Sequence, residues 1–156
     1  MKEATDATDL ERLYREQGDR LWRAVLAYAG DRRIADDAVA EAFTQALRRG
    51  SELRDPLAWI WRVAFRVAAG ELKERSRIVG EPMERGYEDP EGAADVIEAL
   101  RRLSPKQRGA IVLHHYAGYP VRDVASILDS TAPAVRVHLS AGRKRLRALL
   151  VEGNDE

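Results

Sequence analysis

Between Arg77 and Ala94 the helical periodicity of this chain stops. Gly80, Pro82, Gly86, Pro90 and Gly92 fall in that stretch, and acids dominate the residues between them. Glycine and proline at such density interrupt regular structure, so the segment reads as a flexible linker and a domain boundary. A chain of 156 residues divided there must close two small cores, each near the lower size limit for self-sufficiency. With 6% aromatic residues and few β-branched runs, against 45% apolar and 33% charged, the composition favours helix over sheet. The expected fold class is all-α: two small helical domains joined by a flexible acidic linker.

The first half carries three helical patterns. Thr8-Asp9-Leu10-Glu11 reads as a capping box, with a hydroxyl and a carboxylate placed to satisfy free backbone donors. Leu10, Leu13, Tyr14, Leu21, Trp22, Val25 and Leu26 follow at helical spacing, and Gly30 ends the helix. Ala35, Ala38, Val39, Ala42, Phe43, Ala46 and Leu47 then recur every three or four residues up to Gly50, leaving Asp36, Asp37, Glu41 and Gln45 off the apolar stripe. This second helix has one buried and one acidic side. Asp55-Pro56 supplies an N-cap and a first-turn proline for a third helix, apolar on more than one face from Leu57 to Leu72. Trp59 and Trp61 stand two residues apart on it, point different ways and are not expected to share one core.

In the second half, Val96, Ile97, Leu100 and Leu103 mark a short helix. Ser104-Pro105-Lys106-Gln107 is a second capping box, with proline at the first helical position. That helix runs to about Ala117, Gly118 breaks it, and Pro120 restarts a helix of barely two turns through Val121, Val124, Ala125 and Leu128. After the turn residues Asp129 and Ser130, Thr131 caps a long last helix with Val135, Leu139, Leu146 and Leu149 facing inward. A short helix, a tight turn and a longer basic helix is the layout of a helix-turn-helix, whose second helix enters the DNA major groove. Residues 120–149 fit it. With Val135 and Leu139 inward, Pro133, Arg136, Val137 and Ser140 face out as groove candidates. Arg136 can donate two hydrogen bonds to a guanine edge, and Val137 or Pro133 can pack on a thymine methyl. Arg122 and Lys144 suit phosphate contacts, which position without reading sequence.

Charge supports the division. The formal net charge is zero, but residues 81–98 hold seven acids against Arg85, and residues 99–151 hold ten bases against Asp123 and Asp129. Such a cationic module attracts a polyanion and releases its counterions. Without cysteine there is no disulfide and no thiolate metal ligand. Adjacent histidines such as His114 and His115 diverge on a helix, His138 stands alone, and no glycine-rich loop follows a strand. Neither an enzyme nor a metal or cofactor is therefore expected. No apolar run reaches the roughly 20 residues of a membrane helix, and the N-terminus is too acidic for a signal peptide, which points to the cytoplasm without membrane insertion.

Ala99-Leu100-Arg101-Arg102-Leu103-Ser104-Pro105-Lys106-Gln107-Arg108, continued by VLHHYAGYPVRDVASIL and AVRVHLSAGRKRLRALL, resembles the promoter −35 binding module of sigma factors of the extracytoplasmic-function (ECF) type. LYREQGDRLWRAVLAYAGD, IADDAVAEAFTQAL and DPLAWIWRVAFRVAAGELKERSR resemble, in order, the parts of that family's first module. The resemblance spans residues 10–150 and implies a region 2-like domain over 8–77, a linker over 78–94 and a region 4-like domain over 95–151. It implies a transcription initiation factor that binds RNA polymerase core and recognises −10 and −35 elements. Asp36, Asp37 and Glu41 would dock on the clamp helices of the largest subunit, and the flap is a second expected contact. Trp61, Arg62, Arg66, Lys73, Arg75 and Arg77 would hold the opened −10 strand, as stacking platforms and cations suit single strands. At the −35 element Thr131 joins Arg122, Pro133, Arg136, Val137, Ser140 and Lys144. An anti-sigma factor is a further partner common in the family.

The chain departs from the family at Ala40, where glutamine is usual, at Phe65-Arg66, where an Arg-Asn pair is usual, and at His138 and Ala141, where arginines are usual. Fewer polar and cationic contacts are expected to weaken both DNA modules. A stand-alone helix-turn-helix regulator and a sigma-like decoy that does not initiate are the alternative readings.

Overall fold

The computed structural model describes residues 7–79 and 94–154. Every element among them is helical, and the chain falls into two compact units, Met1–Met83 and Glu84–Glu156. The segment expected as a linker lies outside the described residues except at its ends. Ile78 and Val79 still belong to a helix, and Ala94 opens the next.

In the first unit, α1 (Ala7–Ala29), α2 (Arg32–Arg49) and α3 (Pro56–Val79) pack on one another, with a single 3₁₀ turn at Gly50–Glu52. The expected box at Thr8 does not form. The helix already begins at Ala7, which places Thr8 inside the first turn, while Asp9 pairs with Arg12 and Glu11 with Arg15 at 2.6 Å. The stops fall where expected: Gly30 at φ 68° and Gly50 at φ 47° take left-handed backbone that other residues avoid. Asp55 accepts from the Ala58 amide at 3.2 Å, and Pro56 opens α3. Asp31 caps α2, accepting from the Arg33 and Ile34 amides at 2.8 and 3.4 Å, and its second oxygen pairs with Arg75 of α3.

Alanine sets the spacing of this bundle. Ala35, Ala38, Ala42 and Ala46 of α2 and Ala64 and Ala68 of α3 are wholly buried, and small side chains let helix axes approach closely. Larger residues fill the centre. Phe65 meets Tyr28 at 5.2 Å and lies nearly parallel to Trp61, ring centroids 6.1 Å apart. Leu47, expected on the α2 stripe, is 55% exposed. It falls one step past Phe43 at the edge of the stripe. Tyr14 is also mostly exposed; its ring lies over Gly18 and meets Phe43 edge-on at 5.1 Å.

The second unit comprises α4 (Ala94–Arg101), α5 (Pro105–Ile111), α6 (Val121–Ile127) and α7 (Ala132–Asn154). Ser104 and Gln107 close the expected capping box, each side chain bonding the other's amide at 3.2 Å. Arg108 is buried and donates to the Leu103 carbonyl at 3.0 Å, satisfying an acceptor left over just past the end of α4. Past Ile111 the chain winds as a π-helical turn over Val112–Tyr116, closed by the Ala117 amide on the Val112 carbonyl, five residues back. Gly118 at φ 81° ends it. Val124, Val135, Leu139 and Leu113 form the centre. At Gly142 a Cβ would stand 3.2 Å from Ile111, so α5 and α7 approach closely there. Beyond it Leu146 and Leu149 are only half-buried, not inward as expected, because α7 with 23 residues outruns the seven-residue α6.

All three tryptophans, Trp22, Trp59 and Trp61, lie in the first unit, so their fluorescence reports that unit alone. Asp31→Ala removes an N-cap and leaves Arg75 half-buried without its partner. It should lower the stability of the first unit by roughly 2 kcal/mol, read as an earlier urea midpoint by tryptophan emission.

Candidate functional site

The candidate residues lie on an acidic side of α2 and along α3 in the first unit, and on the basic helical hairpin of the second. On α2, Asp36 and Asp37 are exposed and Glu41 is half-buried. Asp36 turns toward α1, where the Trp22 indole N–H donates to its Oδ1 at 2.7 Å. Asp37 turns the other way and lies within hydrogen-bonding range of Glu71 on α3. Glu41, one turn after Asp37 on the same side, accepts from Gln45 at 2.8 Å. The structure thus brings Asp37 and Glu41 together and sets Asp36 apart.

Glu71 was not singled out from the sequence, although a carboxylate inside the apolar run of α3 was a signal. Its Oε2 is buried without a hydrogen-bond partner. Burial, then the charge and hydrogen bond of Asp37, then Asp31, push its carboxyl above the ordinary range, with Arg33 opposing.

On α3 the candidates separate. Trp61, expected as a stacking platform, is 2% exposed and packed flat against Phe65. Its place is the core, because positions 61, 64, 65 and 68 share the inward face of the helix. Trp59 is the more accessible tryptophan, half-buried with the Arg49 guanidinium 5.6 Å above its ring. Phe65 likewise fills the core, so its departure from the family pattern does not remove a surface contact. Arg75, expected to face DNA, is tied to Asp31 in a largely buried ion pair. Arg62 is half-buried, while Arg66, Lys73 and Arg77 are exposed; Arg77 bonds Glu74 at 2.6 Å, which raises its already high pKa.

In the second unit Pro133, Arg136, Val137 and Ser140 are all exposed on α7, with Val137 65% accessible. Thr131 is exposed and caps the helix, its hydroxyl accepting from the Ala134 amide at 3.3 Å. Arg122, in the first turn of α6, and Lys144 are exposed as well. The turn between α6 and α7 is fixed by Asp129 at φ 55° and by the Ser130 amide on the Ala125 carbonyl at 2.8 Å. Of the positions that depart from the family, Ala40 and Ala141 are exposed and His138 is half-buried.

The expectation that His114 and His115 diverge is overturned. Their ring centroids lie 4.9 Å apart, edge to face, since a π-helical turn advances by a smaller angle per residue than an α-helix. His114 Nδ1 donates to the Tyr119 carbonyl at 2.8 Å, and an Arg143 guanidinium N–H donates to His115 Nε2 at 3.3 Å. Burial, then His114 and Arg143, hold the His115 ring below the usual histidine range.

A carboxyl whose folded pKa is raised stabilises fully below its unfolded value and loses that contribution as pH rises through the folded one. The first unit should therefore weaken as pH climbs from about 4.5 through the raised Glu71 value. Glu71→Gln should melt higher than the parent at pH ~7 and converge with it in acid, by tryptophan fluorescence.

The family described as sigma-70, region 4, matches residues 93–146, the segment that holds α4, α5, α6 and most of α7. The ECF RNA polymerase sigma factor BldN of Streptomyces coelicolor is 27% identical over 152 residues, 86% of this chain and 57% of that protein. SigE of Mycolicibacterium smegmatis is 25% identical, with 94% and 63% covered, so the chain spans about three fifths of the length of these two relatives. SigL of Mycobacterium tuberculosis is 28% identical over 164 residues, 96% of this chain and 93% of SigL. Among solved structures, the sigma factor RpoE of Bartonella quintana in complex with the anti-sigma factor NepR has a TM-score of 0.81 at 22% identity, covering 92% of this chain and 98% of RpoE. CnrH in complex with the cytosolic domain of CnrY has a TM-score of 0.70 at 22% identity, covering 94% and 90%. The structures show a shared fold, the relatives run across both units, and the region 4 match falls on the basic helical hairpin: residues 93–146 are a sigma-70 region 4 segment, and the chain as a whole is similar to sigma factors of the ECF type.

Proposed function

We propose that the chain is a transcription initiation factor that binds RNA polymerase core and directs it to promoters through two separate DNA-reading modules. The observation that carries this reading is the outer face of α7 within the region 4 segment. Arg136, a bidentate donor, stands beside the exposed apolar Val137, with Pro133 and Ser140 on the same open surface. An exposed valine between cations and hydroxyls has no packing role in this unit, and a thymine methyl is a suitable partner for it. Arg122 and Lys144 contact phosphate on this reading.

The first unit contributes Asp37 and Glu41 to the clamp helices of the largest subunit, with Asp36 at the edge, and the flap receives the second unit. Arg62, Arg66, Lys73 and Arg77, with Trp59 in place of Trp61, hold the opened −10 strand. Chemistry stays with the polymerase, and the factor works in the cytoplasm. An anti-sigma partner of the kind bound to RpoE is a natural inhibitor for such a chain. A decoy that does not initiate is kept in view by one observation, the exposure of Ala40 and Ala141 where the family places polar and cationic side chains.

In vitro transcription from a randomised promoter library with purified core polymerase tests the proposal: recovered promoters should share two elements at fixed spacing, and no transcript from any member would support the decoy. Because both DNA contacts must engage at once, inserting a few base pairs between the two elements should abolish initiation. Asp37→Lys with Glu41→Lys should weaken core binding at least about tenfold, measured by anisotropy of labelled factor. Asp37 lies against another carboxyl, so this reversal relieves repulsion at that position.

A further inference from the structure

We propose that His115 and Arg143 form a proton-linked contact for a backbone phosphate of the DNA that the second unit binds. Phosphate binding moves the Arg143 guanidinium from the His115 ring to a phosphate oxygen, and His115 Nε2 takes up one proton from solvent. The inference rests on the reading of this unit as a duplex-binding module and adds a site to it.

Arg143 follows Arg136 by seven residues, so the two share one side of α7 about 10 Å apart along its axis. Both are exposed, as is His115, which the π-helical turn carries to within 3.3 Å of Arg143. Arginine only donates hydrogen bonds, so in this contact His115 Nε2 presents its lone pair, as only an unprotonated Nε2 can. A guanidinium held by a neutral imidazole at that distance is weakly committed, and a phosphate oxygen is a stronger acceptor.

The surroundings ask for an anion. The groups that act on His115 are His114 on its own turn and Arg143 on α7, and both disfavour its charged form. Among the described residues no carboxylate of α5, α6 or α7 opposes them. His114 already donates through Nδ1 to the Tyr119 carbonyl, which fixes its ring beside His115. In the free protein, burial and neighbouring cations favour neutral His115; a phosphate at Arg143 reverses the sign of the local field and favours the imidazolium. Between the free and bound pKa values, DNA binding takes up a proton, and affinity rises by up to about tenfold for each unit that pH falls.

The test uses the full chain and a random-sequence duplex of about 30 base pairs at low salt, where phosphate contacts dominate. Anisotropy should show binding that tightens several-fold between pH ~7.5 and ~6. His115→Gln should flatten that slope, and His138→Gln, which removes the imidazole of α7, should keep it. In histidine nitrogen NMR the His115 midpoint should rise on adding duplex, and in the free Arg143→Ala protein it should rise without DNA. A slope that survives in His115→Gln, or a midpoint unmoved by Arg143→Ala, overturns this inference and leaves the DNA-binding reading intact. Failure of the parent protein to bind duplex at either pH overturns both.

Discussion

Each half of this chain has to close an apolar core from three or four helices, and that demand decides what is left for the surface. In the first unit α1, α2 and α3 turn their alanines and large aromatics to one centre, where Phe65 lies between Tyr28 and Trp61. The outer side of α2 is then acidic by subtraction. In the second unit Val124, Val135, Leu139 and Leu113 take the inner positions, and the outer side of α7 is left with bases, a hydroxyl and one exposed valine. Charged surfaces are left over on both units because two small cores use up the apolar stripes.

The charged side chains on these surfaces are less free than a residue count suggests. Asp36 holds an indole, Asp37 faces a second carboxyl, Arg75 is tied to Asp31 and Arg108 is buried on a carbonyl. Of the ten bases in the second half, at least Arg108 serves the fold. Charges that stay solvated cost little to present, whereas those drawn into the interior must be paired, and the structure separates the two groups by side-chain partner.

Local rules made much of this legible. Gly30, Gly50 and Gly118 stop helices where their spacing said they would, Asp55, Ser104 and Thr131 cap, and the four outward positions on α7 follow from a 3.6-residue period. The misses share a physical cause: they depend on where a neighbouring helix lies. The box at Thr8 failed because the helix starts upstream of it. Trp61 passes for a surface platform in the sequence because a helix apolar on several faces does not reveal which face is most deeply covered. Leu146 and Leu149 lose their cover because α6 is short. The π-helical turn at Val112–Tyr116 has no periodicity signal in five residues, and with it the meeting of His115 and Arg143 was invisible.

Asp31 works at two sequence distances. Its capping bonds reach residues two and three positions on, while its ion pair closes on Arg75, 44 positions away. Short loops cost little entropy to close and long ones more, so contacts of small separation form first. The same carboxylate therefore ties the opening turn of one helix to the docking of another, so that a change at Asp31 is felt by both.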